Sequence, residues 1–170
     1  MPWEAFEVER KPEDSLLRVR RSILIARPPV RVWAAFETLE QMRTWWGATP
    51  GTPQAGTAQG QWLDEYEPRA GGRIRMSVMW DGARVAYGGA IVTFADAREL
   101  TFENDWIPNR GWKEPTFVTL RLEAAPRGTI IELFHYGFER TGGDAAATHA
   151  DYEEGWGMTQ LRALKTLAEH

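Results

Sequence analysis

The 170-residue sequence has no cysteine, only three histidines, and no apolar run approaching the ~20 residues of a membrane-spanning helix. Without cysteine there are no disulfides, no thiolate metal ligands and no cysteine nucleophile. The absence also fits a reducing compartment. Met1-Pro2-Trp3-Glu4 opens on an acid where a secretory leader carries lysines and an apolar core, so the cytoplasm is the expected location. His135, His149 and His170 form no short-spaced ligand pair, which argues against a metal site. Ser15, Ser22 and Ser77 sit in no nucleophile-elbow sequence. Gly71-Gly72 and Gly142-Gly143 are turns without a following phosphate-loop lysine. No cofactor is implied. The net charge is −4, with arginines interspersed among acids, which disfavours nucleic acid as a partner.

What the sequence has in excess is tryptophan, nine in all. Each is large, flat and carries one N–H that needs a partner when buried. Val19, Ile23 and Ile25 alternate with Arg20, Ser22 and Leu24 as in a half-buried strand, with Arg21 interrupting the apolar face. Pro28-Pro29 ends that strand and suits the first turn of a helix carrying Val32, Trp33 and Phe36. Thr38 and Gln41 match a capping box for a second short helix, with Gly47 as its stop. Residues 48–60 read as a loop.

Residues 62–67 begin a series of strands. Met76, Val78 and Trp80 share one face of the next strand, and Asp81-Gly82 is a hairpin signal. The return strand, about 84–94, has Gly88-Gly89 at its middle, where glycine marks a bend. Further strands start at Leu100, Phe117 and Thr129, with a loop expected at 105–115. Residues 148–169 read as one long amphipathic helix, with Thr148 and Asp151 as its capping box and Trp156, Gln160, Leu161, Ala163, Leu164 and Leu167 on one face. The pattern is α+β: about seven antiparallel strands, two short helices after the first, and a long C-terminal helix gripped by a curved sheet. Residues 1–14 form an N-terminal extension and 15–170 a single domain. A sheet wrapped around a rod leaves space at one end, roofed by the short helices and loops.

Three passages resemble a known family. The first is Ile25-Ala26-Arg27-Pro28-Pro29-Val30-Arg31-Val32-Trp33, followed by Trp45-Trp46-Gly47. The second is Gly71-Gly72-Arg73-Ile74-Arg75, then Asp81-Gly82 and Gly89. The third is His135-Tyr136-Gly137-Phe138, then Glu154-Gly155-Trp156. In order and spacing they are similar to the START/Bet v 1-like (SRPBCC) superfamily, and within it the group related to the activator of Hsp90 ATPase. The resemblance implies a helix-grip fold with an internal cavity for hydrophobic ligands. It implies no single reaction, because fold alone does not choose one. The co-chaperone itself carries an additional N-terminal domain, and only fourteen residues precede the match here, so an Hsp90-type chaperone is not the expected partner.

The ligand-binding candidates are Trp46, Met76, Val78, Trp80, His135 and Trp156, with Trp106 at the rim. His135 shares a strand face with Ile131 and Leu133. It reads either as a ligand hydrogen-bonding group or general base, or as a satisfied interior histidine. Phe134 and Tyr136 alternate with it and should face away from the cavity. No catalytic residue is assigned. The expected function is binding of a small hydrophobic or aromatic molecule. The alternatives are a cyclase- or hydrolase-type enzyme using the same cavity, or a co-chaperone or other protein-interaction module. A homodimer is left open.

Overall fold

Tight turns between alternating apolar–polar runs leave little choice but an antiparallel meander. The structure, a computed structural model, describes residues 17–46 and 61–170. The 1–14 extension, the Gly47 stop and the 48–60 loop lie outside the described residues. Seven strands form one curved antiparallel sheet: β1 (Val19–Ile25), β2 (Gln61–Tyr66), β3 (Arg73–Trp80), β4 (Ala83–Ala95), β5 (Glu99–Ile107), β6 (Thr116–Ala125) and β7 (Gly128–Tyr136). Their order is β1-β7-β6-β5-β4-β3-β2. Asp81 and Gly82 both have positive φ, as a two-residue hairpin turn of this hand requires. That turn fixes the β3–β4 register, with Trp80 opposite Ala83 and Met76 opposite Tyr87.

The long β4 is where the sheet changes register. A shift against β5 falls between Ile91 and Thr93. Gly88 sits at φ +134°, and a Cβ there would lie 2.2 Å from the Ile74 carbonyl oxygen. Only glycine allows β3 and β4 to approach this closely. β5 runs further than the sequence suggests, reaching Ile107, so Trp106 stands on a strand and not in a loop.

The crossover from β1 to β2 carries α1 (Pro29–Trp33), a 3-10 turn (Ala34–Phe36) and α2 (Leu39–Arg43). Pro29 occupies the first helical position of α1, and the Thr38 hydroxyl caps α2 by accepting from the Gln41 N–H at 3.1 Å. These turns set Trp33, Phe36, Trp45 and Trp46 into the core, linked by ring contacts of 4.8–5.4 Å. The Trp45 indole donates to the Ala35 carbonyl at 2.9 Å, and the Tyr66 hydroxyl to the Phe36 carbonyl at 2.7 Å. Each such ring buries about 150–250 Å², so this cluster, with Leu100, Phe102, Leu120 and Leu133, dominates the apolar burial.

The C-terminal helical segment is interrupted. It consists of α3 (Ala145–Gly155) and α4 (Thr159–Glu169), with Trp156 extended between them. Gly155 and Gly157 flank the break, and glycine is about 1 kcal/mol worse than alanine inside a helix. The N-cap is Asp144, which accepts from the Ala147 N–H at 3.1 Å. Thr148 instead lies inside α3 and donates back to the Asp144 carbonyl. Arg21, the residue that spoils the apolar face of β1, closes the other end. Its guanidinium donates to the Glu153 carbonyl at 2.9 Å and to the Trp156 carbonyl at 3.0 Å, covering carbonyls that a helix C-terminus leaves unpaired. α4 is the amphipathic member, burying Leu161 and Leu164 beside β1. Phe134 and Tyr136 do face away from this core, yet they are buried. Guanidinium groups of Arg18, Arg20 and Arg121 lie 5.7–6.0 Å from the Phe134 ring, and Phe117 stacks on Tyr136.

Candidate functional site

The break between α3 and α4 sits over the sheet and leaves a cavity of about 300 Å³. Strand alternation supplies its floor. Met76 and Val78 come from β3, Tyr87 from β4, Phe102, Asn104 and Trp106 from β5, and Val118 from β6. Direct cross-strand pairs set these side by side: Met76 with Tyr87, Tyr87 with Trp106, Phe102 with Val118. Trp46 and Trp156 wall it, with ring centroids 6.0 Å apart. Tyr152, Gly155 and Gln160 complete the roof, and Gln61 the β2 side.

Among the described residues, every lining side chain is uncharged. A short polar relay crosses one wall. Gln160 Nε2 donates to Gln61 Oε1 at 3.0 Å, and Gln61 Nε2 donates to the Tyr87 hydroxyl at 2.5 Å. Burial pushes the Tyr87 phenol well above its ordinary range despite the Gln61 hydrogen bond. Burial likewise pushes Tyr152 up to about 12, helped by the negative charge of Asp105. Both are neutral hydroxyls at neutral pH and can donate to a ligand oxygen or nitrogen.

Of the residues expected from sequence, Trp46, Met76, Val78, Trp106 and Trp156 meet in this cavity. Two do not. Trp80 shares the strand face of Met76 and Val78, but it is the last residue of β3 and has run past the roof. It is 46% exposed, and its ring lies 5.2 Å from that of Trp106 in an outer cleft.

His135 is the larger correction. It faces the helices but never reaches the cavity, being enclosed by Tyr152 at 4.3 Å and Phe138 at 4.9 Å between ring centroids. Both ring nitrogens are taken. The Trp156 indole N–H donates to Nδ1 at 3.0 Å, and an indole can only donate. The imidazole proton therefore resides on Nε2, which lies 2.8 Å from Thr116 Oγ1. The Thr116 hydroxyl in turn donates to the Asn104 carbonyl at 2.9 Å. Burial, with a smaller contribution from His149, lowers the pKa of His135 to about 3. It is a neutral, satisfied histidine holding Trp156 in place, and it has no free lone pair for a ligand.

The missed lining residues divide by the signal available. Tyr87 was accessible, because the Asp81-Gly82 hairpin dictates that it pairs with Met76. Asn104, Phe102 and Val118 depend on the β4–β5 shift and the extra length of β5, which no local pattern marks. Among the described residues, no cluster of His, Cys, Asp or Glu could hold a metal ion, and no helix is long and apolar enough to cross a membrane.

This architecture has relatives. Residues 26–169 match the family described as Activator of Hsp90 ATPase homolog 1-like protein. The chain belongs to that family. No curated protein matches the sequence. Solved structures share the fold of this Activator of Hsp90 ATPase homolog 1-like chain at low identity. Protein CV1439 from Chromobacterium violaceum is 18% identical, with a TM-score of 0.66 over 92% of this chain and 99% of that one. The Aha1 dimer from Colwellia psychrerythraea is 14% identical, with a TM-score of 0.54 over 89% of this chain and 96% of that one. DynU16, from the dynemicin biosynthetic locus, is 15% identical with a TM-score of 0.54 over 89% of this chain, but only 47% of its own length is covered. At these identities the likeness concerns the fold.

Proposed function

We propose that this protein binds a small, uncharged, largely apolar molecule in the cavity between the sheet and the α3–α4 break. The observation that carries the reading is the lining itself, which among the described residues has aromatic and aliphatic walls, two neutral phenols, three amides and no charge. An ionised ligand would lose its hydration there without gaining a counter-charge. A volume of about 300 Å³ lies at the small end of ligand pockets, which favours a compact ring system over a long acyl chain. The hydroxyls of Tyr87 and Tyr152 suit a ligand with one or two hydrogen-bond acceptors. For the cyclase- or hydrolase-type alternative, the described residues offer no free histidine base at the cavity, since His135 is committed to Trp156 and Thr116. Among the described residues, the only titratable groups on the cavity wall are the two raised tyrosines.

Naphthol is a suitable probe, being flat, neutral at pH 7 and able to donate and accept. It should raise the melting temperature in a saturable, concentration-dependent way through linkage. Val78→Phe, which extends a half-buried wall residue into the cavity, should abolish that rise without unfolding the protein. An equal rise in the variant would place binding elsewhere.

A further inference from the structure

Beyond the cavity lies a second concavity of about 560 Å³, lined by Trp80, Trp106, Trp112, Tyr152 and Asp151. Its chemistry differs from that of the inner site. Three indoles and a phenol surround it, and a carboxylate stands at its edge. We propose that this outer cleft is a binding site for an organic cation of the quaternary-ammonium class.

Three observations support this assignment. The first is the aromatic count: a third of the tryptophans of the protein converge here, and Trp80 presents its ring to solvent, which a merely structural tryptophan would avoid. Aromatic faces carry negative potential and attract cations that shed water easily, and ringed clusters of them are a common means of recognising quaternary ammonium groups. The second is that these rings already hold a cation. The Arg110 guanidinium lies 5.6 Å from the Trp80 centroid and 5.2 Å from that of Trp106. No carboxylate among the described residues pairs with Arg110, and its guanidinium lies against these two rings instead. The third is charge. Asp151 is exposed on α3 and pairs with no cation among the described residues. It supplies a counter-charge without requiring burial of a carboxylate.

The loop that carries Arg110 and Trp112 is built to hold its shape. Asn109 Nδ2 donates to Asp105 at 2.8 Å and to the Trp112 carbonyl at 3.0 Å, and the Gly111 N–H donates to Asn109 Oδ1 at 2.8 Å. The backbone that carries Trp112 is therefore ordered in advance, which limits the ordering cost of binding. Arg110, by contrast, is exposed, and among the described residues its guanidinium contacts only the two rings, so it acts as a resident cation that an incoming ammonium displaces.

The test compares choline with dimethylbutanol, its uncharged isostere in which a carbon replaces the nitrogen. Binding is followed by the indole N–H resonances in a heteronuclear NMR titration of the full chain. Choline is expected to move the Trp80, Trp106 and Trp112 signals and to bind about tenfold or more tightly than dimethylbutanol. Asp151→Asn should reduce that preference several-fold (roughly) while leaving dimethylbutanol unchanged. Arg110→Ala should strengthen choline binding by removing its competitor. Trp80→Ala, at a half-exposed position, should abolish choline binding while leaving naphthol binding in the inner cavity intact, so the two sites fail or succeed separately. Equal affinities for choline and dimethylbutanol, or no saturable choline binding, would overturn the proposal and leave the cleft as the plain mouth of the cavity.

Discussion

The indole nitrogen of Trp156 donates to Nδ1 of His135 at 3.0 Å, tying the break between two C-terminal helices to the inner face of the last strand. The bond carries several consequences, because Trp156 is at once a cavity wall and part of the link between α3 and α4.

Its first consequence is a pH dependence of stability. His135 has a folded pKa of about 3, against 6.5 for the free side chain. Between those values the unfolded chain takes up a proton that the folded chain refuses. Stability is full above about pH 6.5 and falls as pH drops toward 3. At 1.36 kcal/mol per pH unit, the loss attributable to this group is about 3 kcal/mol by pH 4.5. Urea unfolding at pH 7.5 and 4.5 measures it. His135→Gln should lack that increment; an unchanged pH dependence in the variant would show that other groups carry it.

Trp156→Phe should cost about 1–3 kcal/mol in the same urea experiment at neutral pH, because it leaves His135 Nδ1 buried and unpaired. The far-ultraviolet circular dichroism should stay native-like, since α4 is held separately by Leu161 and Leu164.

Arg21→Met tests the clamp on α3. Tyr152 packs α3 against His135 and Phe138, and the bonds from Arg21 to the Glu153 and Trp156 carbonyls hold its C-terminal end. Hydrogen exchange should accelerate in the last turn of α3, while amides of β6 and β7 keep their protection. Uniform acceleration throughout would indicate global destabilisation instead.

Gly88→Ala and Gly82→Ala form a matched pair. Both glycines have positive φ, +134° and +75°, but a Cβ at Gly82 meets nothing within 4 Å, whereas one at Gly88 meets the Ile74 carbonyl at 2.2 Å. Gly82→Ala should cost about 1 kcal/mol, the conformational penalty alone. Gly88→Ala should cost several times more or prevent folding. Similar thermal stabilities for the two variants would remove close approach as the reason for glycine at the bend.

Much of this molecule was legible in its sequence because its signals are local. Asp81-Gly82 fixes a hairpin, Thr38 and Gln41 fix a helix start, and alternation assigns Met76 and Val78 to the inner face. The interruption at Trp156 also had a local signal, in the glycines on either side, but the amphipathic pattern of 160–167 extends back to Trp156 and masks it. Trp80 shows the limit of alternation, which gives a side chain's face but not how far the roof extends. His135 shows a different limit. Its inward direction is periodic and readable, whereas its partners, Trp156 and Thr116, lie 21 and 19 residues away in sequence. Whether a buried imidazole is free or spent depends on such long-range pairing, which no spacing rule encodes.

The most direct test of the cavity is to titrate the protein with naphthol and follow its indole N–H resonances. Trp46 and Trp156 flank the cavity, whereas Trp33 and Trp45 are buried in the core away from it. Binding in the cavity requires saturable shifts of the Trp46 and Trp156 signals with those of Trp33 and Trp45 unmoved. Shifts confined to Trp80 and Trp112, or no saturable shift at all, would contradict it.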